Sequence, residues 1–226
     1  DFRRSRGLGD VYKRQVYPGV TSQTWHPIIE ELGLVIGVDV EIAYCPERFN
    51  PGDPAHGVRQ VARVIGCSDP EIGATLVELY SKLTSEEVRY VGKLEVAEAA
   101  KVIENVQRDI NIALVNELAR IFPALDVDVE DVLSAAATKW NFHRYTPGIG
   151  VGGHCIPVDP YYMMQRAQEV GVPAELITAA RSVNRMMPKH VSTVLKDLLY
   201  QSGVPAGEGR VLFLGWSYKA GVGDAR

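Results

Sequence analysis

A short glycine-rich stretch, VGGHCIPVDPYY over residues 151–162, brings together residue types that can do covalent chemistry. His154 precedes Cys155, and Asp159 follows four residues later. A loop between glycines can present the cysteine sulfur to a cleft, where a nearby cation favours the thiolate that attacks carbonyl groups. The stretch therefore predicts a nucleophilic cysteine at position 155.

A metal site is the alternative interpretation of this stretch. Such a site would use His154, Cys155 and Asp159, but it needs a further ligand. Neither His143 nor His190 lies at a recognised zinc spacing, so no metal is expected. Metal analysis of the purified protein distinguishes the two interpretations.

A polar pair lies within a long apolar pattern. Lys101 and Asn105 are four residues apart, so both project from one face of a predicted helix. A solvated polar edge is the simpler explanation, but Asn105 stands next to Val106 and two residues past Ile103, on a helix that is apolar on two sides. We therefore expect a site-facing pair, in which lysine can polarise a reacting oxygen and asparagine can hold a water or an oxyanion.

The run GIGVGG, residues 148–153, formally satisfies the G-x-G-x-x-G pattern. It follows no predicted strand, and it leads into Cys155 and Pro157 rather than into a helix whose N-terminus could hold a pyrophosphate. We reject it as a dinucleotide fingerprint. Its glycines instead predict a loop whose backbone passes close to a ligand or adopts positive φ around Cys155.

The first part of the chain alternates between strand and helix patterns. A helix is predicted from VYPGVT to Glu31, and short β-branched runs typical of strands occur in VDVEIAYCP, VARVIGC and VRYVG. DPEIGATLVELYSKL predicts a helix with Asp69 as its N-cap and Pro70 at its first position. Strands separated by helices predict an α/β fold, with the end of a parallel sheet over residues 16–93.

Helical patterns dominate from residue 94 to residue 205. Apolar residues at steps of three and four predict one long helix over 94–122, and a second apolar set indicates that it packs on both sides. Further helices are predicted over DVEDVLSAAATKW, DPYYMMQRAQEVG and PAELITAARSVNRMMPKHVSTVLKDLLYQSG. The last should be interrupted near Pro188, which lacks the amide hydrogen of the helical ladder. In residues 206–226, VLFLGWSY predicts a buried strand that opens a third α/β domain.

The composition is that of a folded protein, with 46% hydrophobic and 23% charged residues. A net charge of -4 offers no basic surface for nucleic acid, and no apolar run is long enough to cross a bilayer, so neither partner is expected. The three cysteines lack CxxC spacing, which indicates a reducing, cytoplasmic compartment. Two of them, Cys45 and Cys67, are interpreted as small buried apolar residues.

The chain resembles the UDP-glucose/GDP-mannose dehydrogenase family in four separated segments that occur in the family order: YCPERFNPGD, AEAAKVIENVQRDINIALVNELARIF, TKWNFHRYTPGIGVGGHCIPVDPYY and LGWSYKAGVGDAR. The resemblance covers about residues 16–226 and is closest to the UDP-N-acetylhexosamine 6-dehydrogenase branch. It implies a Rossmann-like NAD domain, an all-helical central domain that forms a homodimer through helix 94–122, and a UDP-binding third domain.

The resemblance also implies an activity: NAD-dependent oxidation of the C6 alcohol of a UDP-sugar, twice, to the carboxylate, for bacterial surface polysaccharides. It explains the cysteine, since an aldehyde intermediate can be trapped as a thiohemiacetal, oxidised to a thioester and hydrolysed. By motif matching, the catalytic residues are Cys155, Lys101, Asn105, Asp159 and Glu47; the substrate-binding residues are Arg48, Asn141, Phe142, Tyr145, Gly150, Gly152, Gly153 and Lys219; and the cofactor-side residues are Arg226 and Cys155.

The chain departs from the family pattern at both ends. No glycine-rich phosphate loop precedes residue 16, and Arg14 and Gln15 stand where the family usually has a Ser-Thr pair. Residues 1–15 are therefore interpreted as a junction segment, and the chain as a truncated fragment that is inactive by itself. Pro51 stands where UDP-glucose enzymes carry a second glutamate, which favours an N-acetylated sugar.

Two alternative functions belong to other classes. The chain could be a helical dimerisation module without turnover, which would explain the two-sided helix 94–122. An enzyme that acts on 3-hydroxy acids would share the order of a Rossmann domain and a helical domain, but it would not need a cysteine.

Overall fold

The computed structural model describes residues 16–49, 53–205, 207–215 and 217. These residues contain six α-helices and three strands, arranged in two compact units. The first unit takes in the described residues up to Asn105 together with 161–171, and the second takes in 106–160 and the described residues from 172 onward. The domain boundaries predicted from the sequence, at residues 93 and 205, stay a prediction.

The first unit is built on a three-stranded sheet in the order β1–β2–β3. Strands β2 (Arg63–Cys67) and β3 (Val88–Gly92) are parallel and are joined by helix α2 (Pro70–Ser81), as the alternating pattern predicts. Strand β1 (Ala43–Tyr44) pairs antiparallel with β2 and has only two residues, so it is shorter than VDVEIAYCP suggested. The α/β class predicted from the sequence is confirmed.

Helix α2 begins where the sequence predicts. The Asp69 carboxylate accepts hydrogen bonds from the amides of Glu71 (2.7 Å) and Ile72 (3.0 Å), with Pro70 at the first helical position. A Cβ added to Gly73 would lie 2.4 Å from the ring of Tyr90, so the helix packs directly on β3 at this glycine. The preceding helix, α1 (His26–Glu31), follows a π-helical turn over Thr21–Trp25.

Helix α3 (Leu94–Ile121) is the single long helix that the apolar spacing predicts, and it ends in a 3-10 turn over Phe122–Leu125. Its start lies against β2 at Gly66, where an added Cβ would stand 2.8 Å from the Lys93 carbonyl oxygen and 2.9 Å from the Leu94 Cα. Only glycine fits this contact without displacing backbone. The first turns of α3 are therefore held at a fixed place on the sheet.

The remaining helices are α4 (Val129–Ala136), α5 (Asp159–Glu169) and α6 (Glu175–Gln201). The predicted interruption near Pro188 is wrong, because α6 runs through this proline as one helix. Pro188 costs the ladder one amide donor, to the Asn184 carbonyl, and burial of neighbouring side chains on α6 offsets that loss. Buried apolar residues among the described part of the second unit include Val106, Ala113, Val115, Leu133, Ala180 and Met187.

The predicted strand over VLFLGWSY is not formed in the part of this segment that the structure describes. Residues 211–215 lie outside helices and strands, and Leu212 and Leu214 are 80% and 88% exposed. A strand is stable only when a neighbouring strand takes up its backbone hydrogen bonds and a second layer covers its side chains. Neither is present among the described residues around this segment.

One side of α3 is apolar and exposed. Leu114 and Ile121 are 52% and 45% exposed, so the two-sided packing predicted for this helix is not completed within the described chain. No helix among the described residues has the length and apolar character needed to cross a membrane.

A buried carboxylate fastens α3 to the segment that leads into α1. Glu98 is 0% exposed, and its two oxygens accept hydrogen bonds from the backbone amides of Gly19 (2.6 Å) and Thr21 (2.9 Å) and from the Thr21 hydroxyl. Three donors on one buried carboxylate offset the desolvation of its charge.

We expect Glu98→Gln to destabilise the chain by about 2 kcal/mol, because an amide NH₂ group would face an N–H donor at one of the two oxygen positions. Urea unfolding followed by circular dichroism measures the loss. Glu95→Gln, one turn earlier on α3 with only a 3.4 Å contact to the Ser22 hydroxyl, is the matched control and should change the free energy of unfolding little. Equal losses in the two variants would contradict this role for Glu98.

Candidate active site

Cys155 lies in the loop that leads into α5. Its carbonyl oxygen accepts hydrogen bonds from the amides of Val158 (3.0 Å) and Asp159 (2.8 Å), so the chain turns directly from the cysteine into the helix. The side chain of Cys155 is half-buried, whereas Asp159 at the start of α5 is 0% exposed. A cysteine at the start of such a turn keeps its side chain at the edge of the fold rather than in its core.

Two of the four glycines before Cys155 have the positive φ that the sequence predicts. Gly150 has φ +133° and Gly153 has φ +90°, both in the region that favours glycine. Gly148, Gly150 and Gly153 lie in no helix or strand, and the run does not open a helix, in agreement with the rejection of a dinucleotide fingerprint.

Glu47 and Lys101 are brought together in the first unit. The Lys101 Nζ donates a hydrogen bond to the Glu47 carbonyl oxygen at 3.1 Å. The Glu47 carboxylate accepts from the amides of Arg48 (3.0 Å) and Phe49 (3.1 Å), which holds it next to its own backbone. A carboxylate held in this way can orient a water molecule, and the ammonium group beside it can stabilise negative charge on a reacting oxygen.

Two arginines surround this glutamate. Arg48 pairs with Glu104 on α3, and the guanidinium of Arg63, which is 5% exposed, lies 3.7 Å from the Glu47 carboxylate. Arg63 also donates to the Val58 carbonyl oxygen at 3.1 Å. Each of these arginines is thus paired with a glutamate, and Lys101 adds a further positive charge beside Glu47.

Asn105 stands one turn after Lys101 on α3 and is 5% exposed. A solvated polar edge is thus excluded for Asn105, as the sequence argument expected. Lys101, Asn105 and Glu47 belong to the first unit, while Cys155 and Asp159 belong to the second.

A cleft of about 720 Å³ lies in the second unit, between the loop after α4 and the exposed side of α3. Three residues predicted to bind substrate, Asn141, Phe142 and Tyr145, line it. The glycines of the Cys155 loop do not. Two other predicted residues, Lys219 and Arg226, lie outside the described residues. The cleft is also lined by Gln107, Asn111 and Leu114 of α3.

Cys45 and Cys67 differ from Cys155 in their surroundings. Burial raises the pKa of the Cys45 thiol, and the hydrogen bond and charge of Arg63 offset this only in part. Burial also raises the pKa of Cys67, whose side chain is 0% exposed. Both thiols are therefore poor nucleophiles at neutral pH. No group of three or more metal-ligating side chains occurs in the part of the chain that the structure describes.

A set of buried polar residues was not singled out from the sequence. They share a position on the buried sides of α3 and α6 and hydrogen-bond to one another: Asp109, Asn116, Arg181 and Asn184. The available signal was the seven-residue spacing between Asp109 and Asn116, which places two polar residues on one side of an otherwise apolar helix.

Residues 11–84, which include β2 and α2, match the NAD binding domain of the UDP-glucose/GDP-mannose dehydrogenase family. Residues 95–186 match the central domain of the same family. The chain belongs to the UDP-glucose/GDP-mannose dehydrogenase family. The family and its cofactor, NAD, are confirmed as predicted.

Curated relatives and solved structures agree with this family. The chain is 46% identical over 218 residues to Protein CapL of Staphylococcus aureus, covering 96% of this chain and 51% of that protein. It is 43% identical over 217 residues to UDP-N-acetyl-D-glucosamine 6-dehydrogenase of Pseudomonas aeruginosa, with the same shares covered. A UDP-D-ManNAc dehydrogenase structure from Pyrococcus horikoshii superposes with TM-score 0.86 at 32% identity, covering 94% of this chain and 50% of that one. The chain thus spans about half the length of the relatives it matches.

Alkylation should show that Cys45 and Cys67 are weakly reactive thiols. At about pH 7 we expect slow labelling of Cys45 and Cys67 by iodoacetamide, because their raised pKa values leave them as neutral thiols. The rate at Cys45 should rise with pH over a higher pH range than the rate of an exposed thiol, since the thiolate is the reactive form and burial raises the pKa of this thiol. Peptide mass spectrometry measures each rate, and a Cys45 rate that is independent of pH would contradict the raised pKa.

Proposed function

We propose that the chain forms the NAD-domain and central-domain part of a UDP-N-acetylhexosamine 6-dehydrogenase. This enzyme converts the C6 alcohol of the sugar to the uronate for bacterial surface polysaccharides, and it acts in the cytoplasm. The observation that carries the proposal is a half-buried cysteine in a loop with positive-φ glycines, inside the central domain of this family. The cysteines are all free, which supports a reducing compartment.

Cys155 gives the reaction its covalent step. After the first oxidation, the Cys155 thiolate adds to the aldehyde carbon and forms a thiohemiacetal; the second oxidation gives a thioester; water then releases the carboxylate and the thiol. NAD, when bound, accepts one hydride in each oxidation. The sum is one alcohol, one water and two NAD⁺ giving one carboxylate, two NADH and three protons.

The polar residues of α3 have roles that follow from their chemistry. The ammonium group of Lys101 stabilises the alkoxide and the tetrahedral oxyanions, and the Asn105 amide donates to the same kind of oxygen. Glu47 and Asp159 manage protons and the attacking water. The contact between Lys101 and Glu47 supports placing these two in one proton-handling group.

Residues of the loop after α4 contact the nucleotide sugar in this proposal. Asn141, Phe142 and Tyr145 line one cleft, where an amide and two aromatic rings offer hydrogen bonds and a stacking surface. Arg48 and the glycines Gly150, Gly152 and Gly153 contribute further contacts, as do Lys219 and, on the cofactor side, Arg226.

The described part of the NAD domain contributes a framework rather than a phosphate cradle. Asp69 fills the N-terminus of α2 with its own carboxylate, so the amides of that helix do not offer a site for a pyrophosphate. We therefore propose that residues outside the described ones bind the phosphates of the cofactor. Residues of this chain then lie on the nicotinamide side of the cofactor.

UDP-N-acetylglucosamine is the substrate we favour. Relatives at 43% and 42% identity carry the name UDP-N-acetyl-D-glucosamine 6-dehydrogenase, whereas the UDP-N-acetyl-D-mannosamine dehydrogenase of Pyrococcus horikoshii is 33% identical. Proline at position 51, which lies outside the described residues, also favours an N-acetylated sugar over UDP-glucose.

A homodimer through α3 is the second part of the proposal. Leu114 and Ile121 lie on its exposed side, where burial against a second copy would remove apolar surface from water. This observation also fits a purely structural dimerisation module, and the activity measurement below distinguishes the two.

We expect Cys155→Ala to lower uronate formation by a factor on the order of a thousand or more in a full-length enzyme that contains this chain. NADH absorbance with UDP-N-acetylglucosamine and detection of the uronate by mass spectrometry measure the loss. Cys67→Ala, which removes a buried thiol away from the chemistry, is the control and should retain activity. Undiminished uronate formation by Cys155→Ala would end the proposal and would favour an enzyme that needs no cysteine.

We expect Ile121→Glu to convert the dimer to a monomer, because a charge would be buried at the interface. Sedimentation velocity measures the change. Ile28→Glu on α1 is the matched control, since both isoleucines are 45% exposed. A wild-type chain that sediments only as a monomer at high concentration would contradict the dimer.

A further inference from the structure

A buried hydrogen-bond chain leads from α3 and α6 to the glycine-rich loop before Cys155. Its members are almost completely removed from solvent: Asp109 and Asn116 are 0% exposed, Asn184 is 2% exposed and Arg181 is 7% exposed. The sequence separation between the α3 and α6 members is 68 residues or more, so the chain links parts that only the fold brings together.

The contacts form a continuous series. Asp109 Oδ1 accepts from Arg181 Nη1 at 2.6 Å and from Asn184 Nδ2 at 2.8 Å. Asn184 Oδ1 accepts from Asn116 Nδ2 at 2.9 Å. Asn116 Oδ1 accepts from the Gly148 amide at 2.8 Å. The series therefore ends on the backbone of the loop.

The orientation of both amides is fixed by the two ends of this series. The Asp109 carboxylate can only accept, and the Gly148 amide can only donate. Asn184 must therefore point its NH₂ group at Asp109, and Asn116 must point its oxygen at Gly148. Reversal of either amide would place two donors or two acceptors in contact within a buried site, at a cost of about 1 to 3 kcal/mol.

The same loop passes close to α6 at a second point. A Cβ added to Gly150, which has φ +133°, would lie 3.1 Å from the Asn184 carbonyl oxygen. Pro188 has no amide hydrogen, so this carbonyl lacks its usual donor in α6 and faces the loop instead. The side chain of Asn184 thus acts on Gly148 through Asn116, and its backbone contacts Gly150.

We propose that Asn116 is a positioning residue for the nucleophile loop, with Asp109 and Asn184 as its support. The inference rests on the proposed function of Cys155. Gly148 stands seven residues before Cys155 and three after Tyr145. A fixed Gly148 therefore limits the movement of the cysteine on one side and of the substrate-contacting residues on the other, which is how remote groups preserve a reactive geometry.

Hydrogen exchange tests the anchor directly. In Asn116→Leu we expect the Gly148 amide to exchange at least about tenfold faster than in the wild type, because its acceptor is removed. Mass spectrometry on peptides that cover residues 143–155 measures the rate. Glu117→Leu is the matched control, with the same new side chain at the next position of α3 but on the exposed side, and it should keep the wild-type rate. Unchanged exchange in Asn116→Leu, or equal acceleration in both variants, overturns the proposal.

A double variant covers the case in which Asn116→Leu does not fold. Asn116→Ala with Asn184→Ala removes both amides, so neither side-chain amide is left buried without its partner, and the pair of Asp109 with Arg181 is retained. Exchange at Gly148 should again rise. A folded double variant with wild-type protection of Gly148 overturns the proposal.

Turnover tests the consequence for catalysis. In the full-length enzyme, Asn116→Leu should lower kcat about tenfold or more while the KM for NAD stays unchanged, because the loop, not the cofactor domain, is displaced. An unchanged kcat overturns the positioning role. Hydrogen exchange at the Gly148 amide does not depend on turnover. If Cys155→Ala stays fully active, the proposed function fails, but the exchange rate of Gly148 still tests whether Asn116 holds the loop.

Discussion

The need of the buried carboxylates on α3 for hydrogen-bond donors is the constraint on which the rest of the structure depends. This helix places carboxylates at Glu98 and Asp109 where no water reaches them. Burial raises the pKa of Asp109, an effect that Arg181 and Asn184 oppose. Each carboxylate is met by donors from a segment far away in sequence, so the polar groups of α3 select which segments pack against it. The apolar contacts remove surface from water, and the polar contacts fix which residues of α3 lie opposite which residues of the other segments.

The pieces of the fold that sequence reasoning predicted are those whose signals are local. Asp69 and Pro70 fix the start of α2, and the apolar spacing of residues 94–121 fixes α3, because caps and periodicity act within a few residues. The errors came where distant contacts decide. Pro188 stays within α6 because tertiary packing supports the helix, and residues 211–215 remain irregular because a strand needs neighbours that a local pattern does not supply.

The candidate site divides in the same way. Cys155, Lys101 and Asn105 could be proposed as candidates from residue type and spacing, since nucleophiles in glycine loops and i, i+4 polar pairs are short-range patterns. The buried series from Asp109 to Gly148 could not, because its helix-to-helix links join residues 68 to 75 positions apart. The sequence around an asparagine in a helix does not indicate whether its side-chain amide will hydrogen-bond to water or to a second asparagine.

The contact at Gly66 limits how the chain length can vary. Backbone of Lys93 and Leu94 lies against this glycine, so the rotation of the helix about its own axis is set at its first turn. Each residue of an α-helix turns the next side chain by about 100°. An insertion of one residue between Leu94 and Lys101 would swing the ammonium group a quarter-turn or more away from the Glu47 carbonyl. An insertion or deletion within this segment would therefore displace Lys101 from Glu47 even if every side chain were kept.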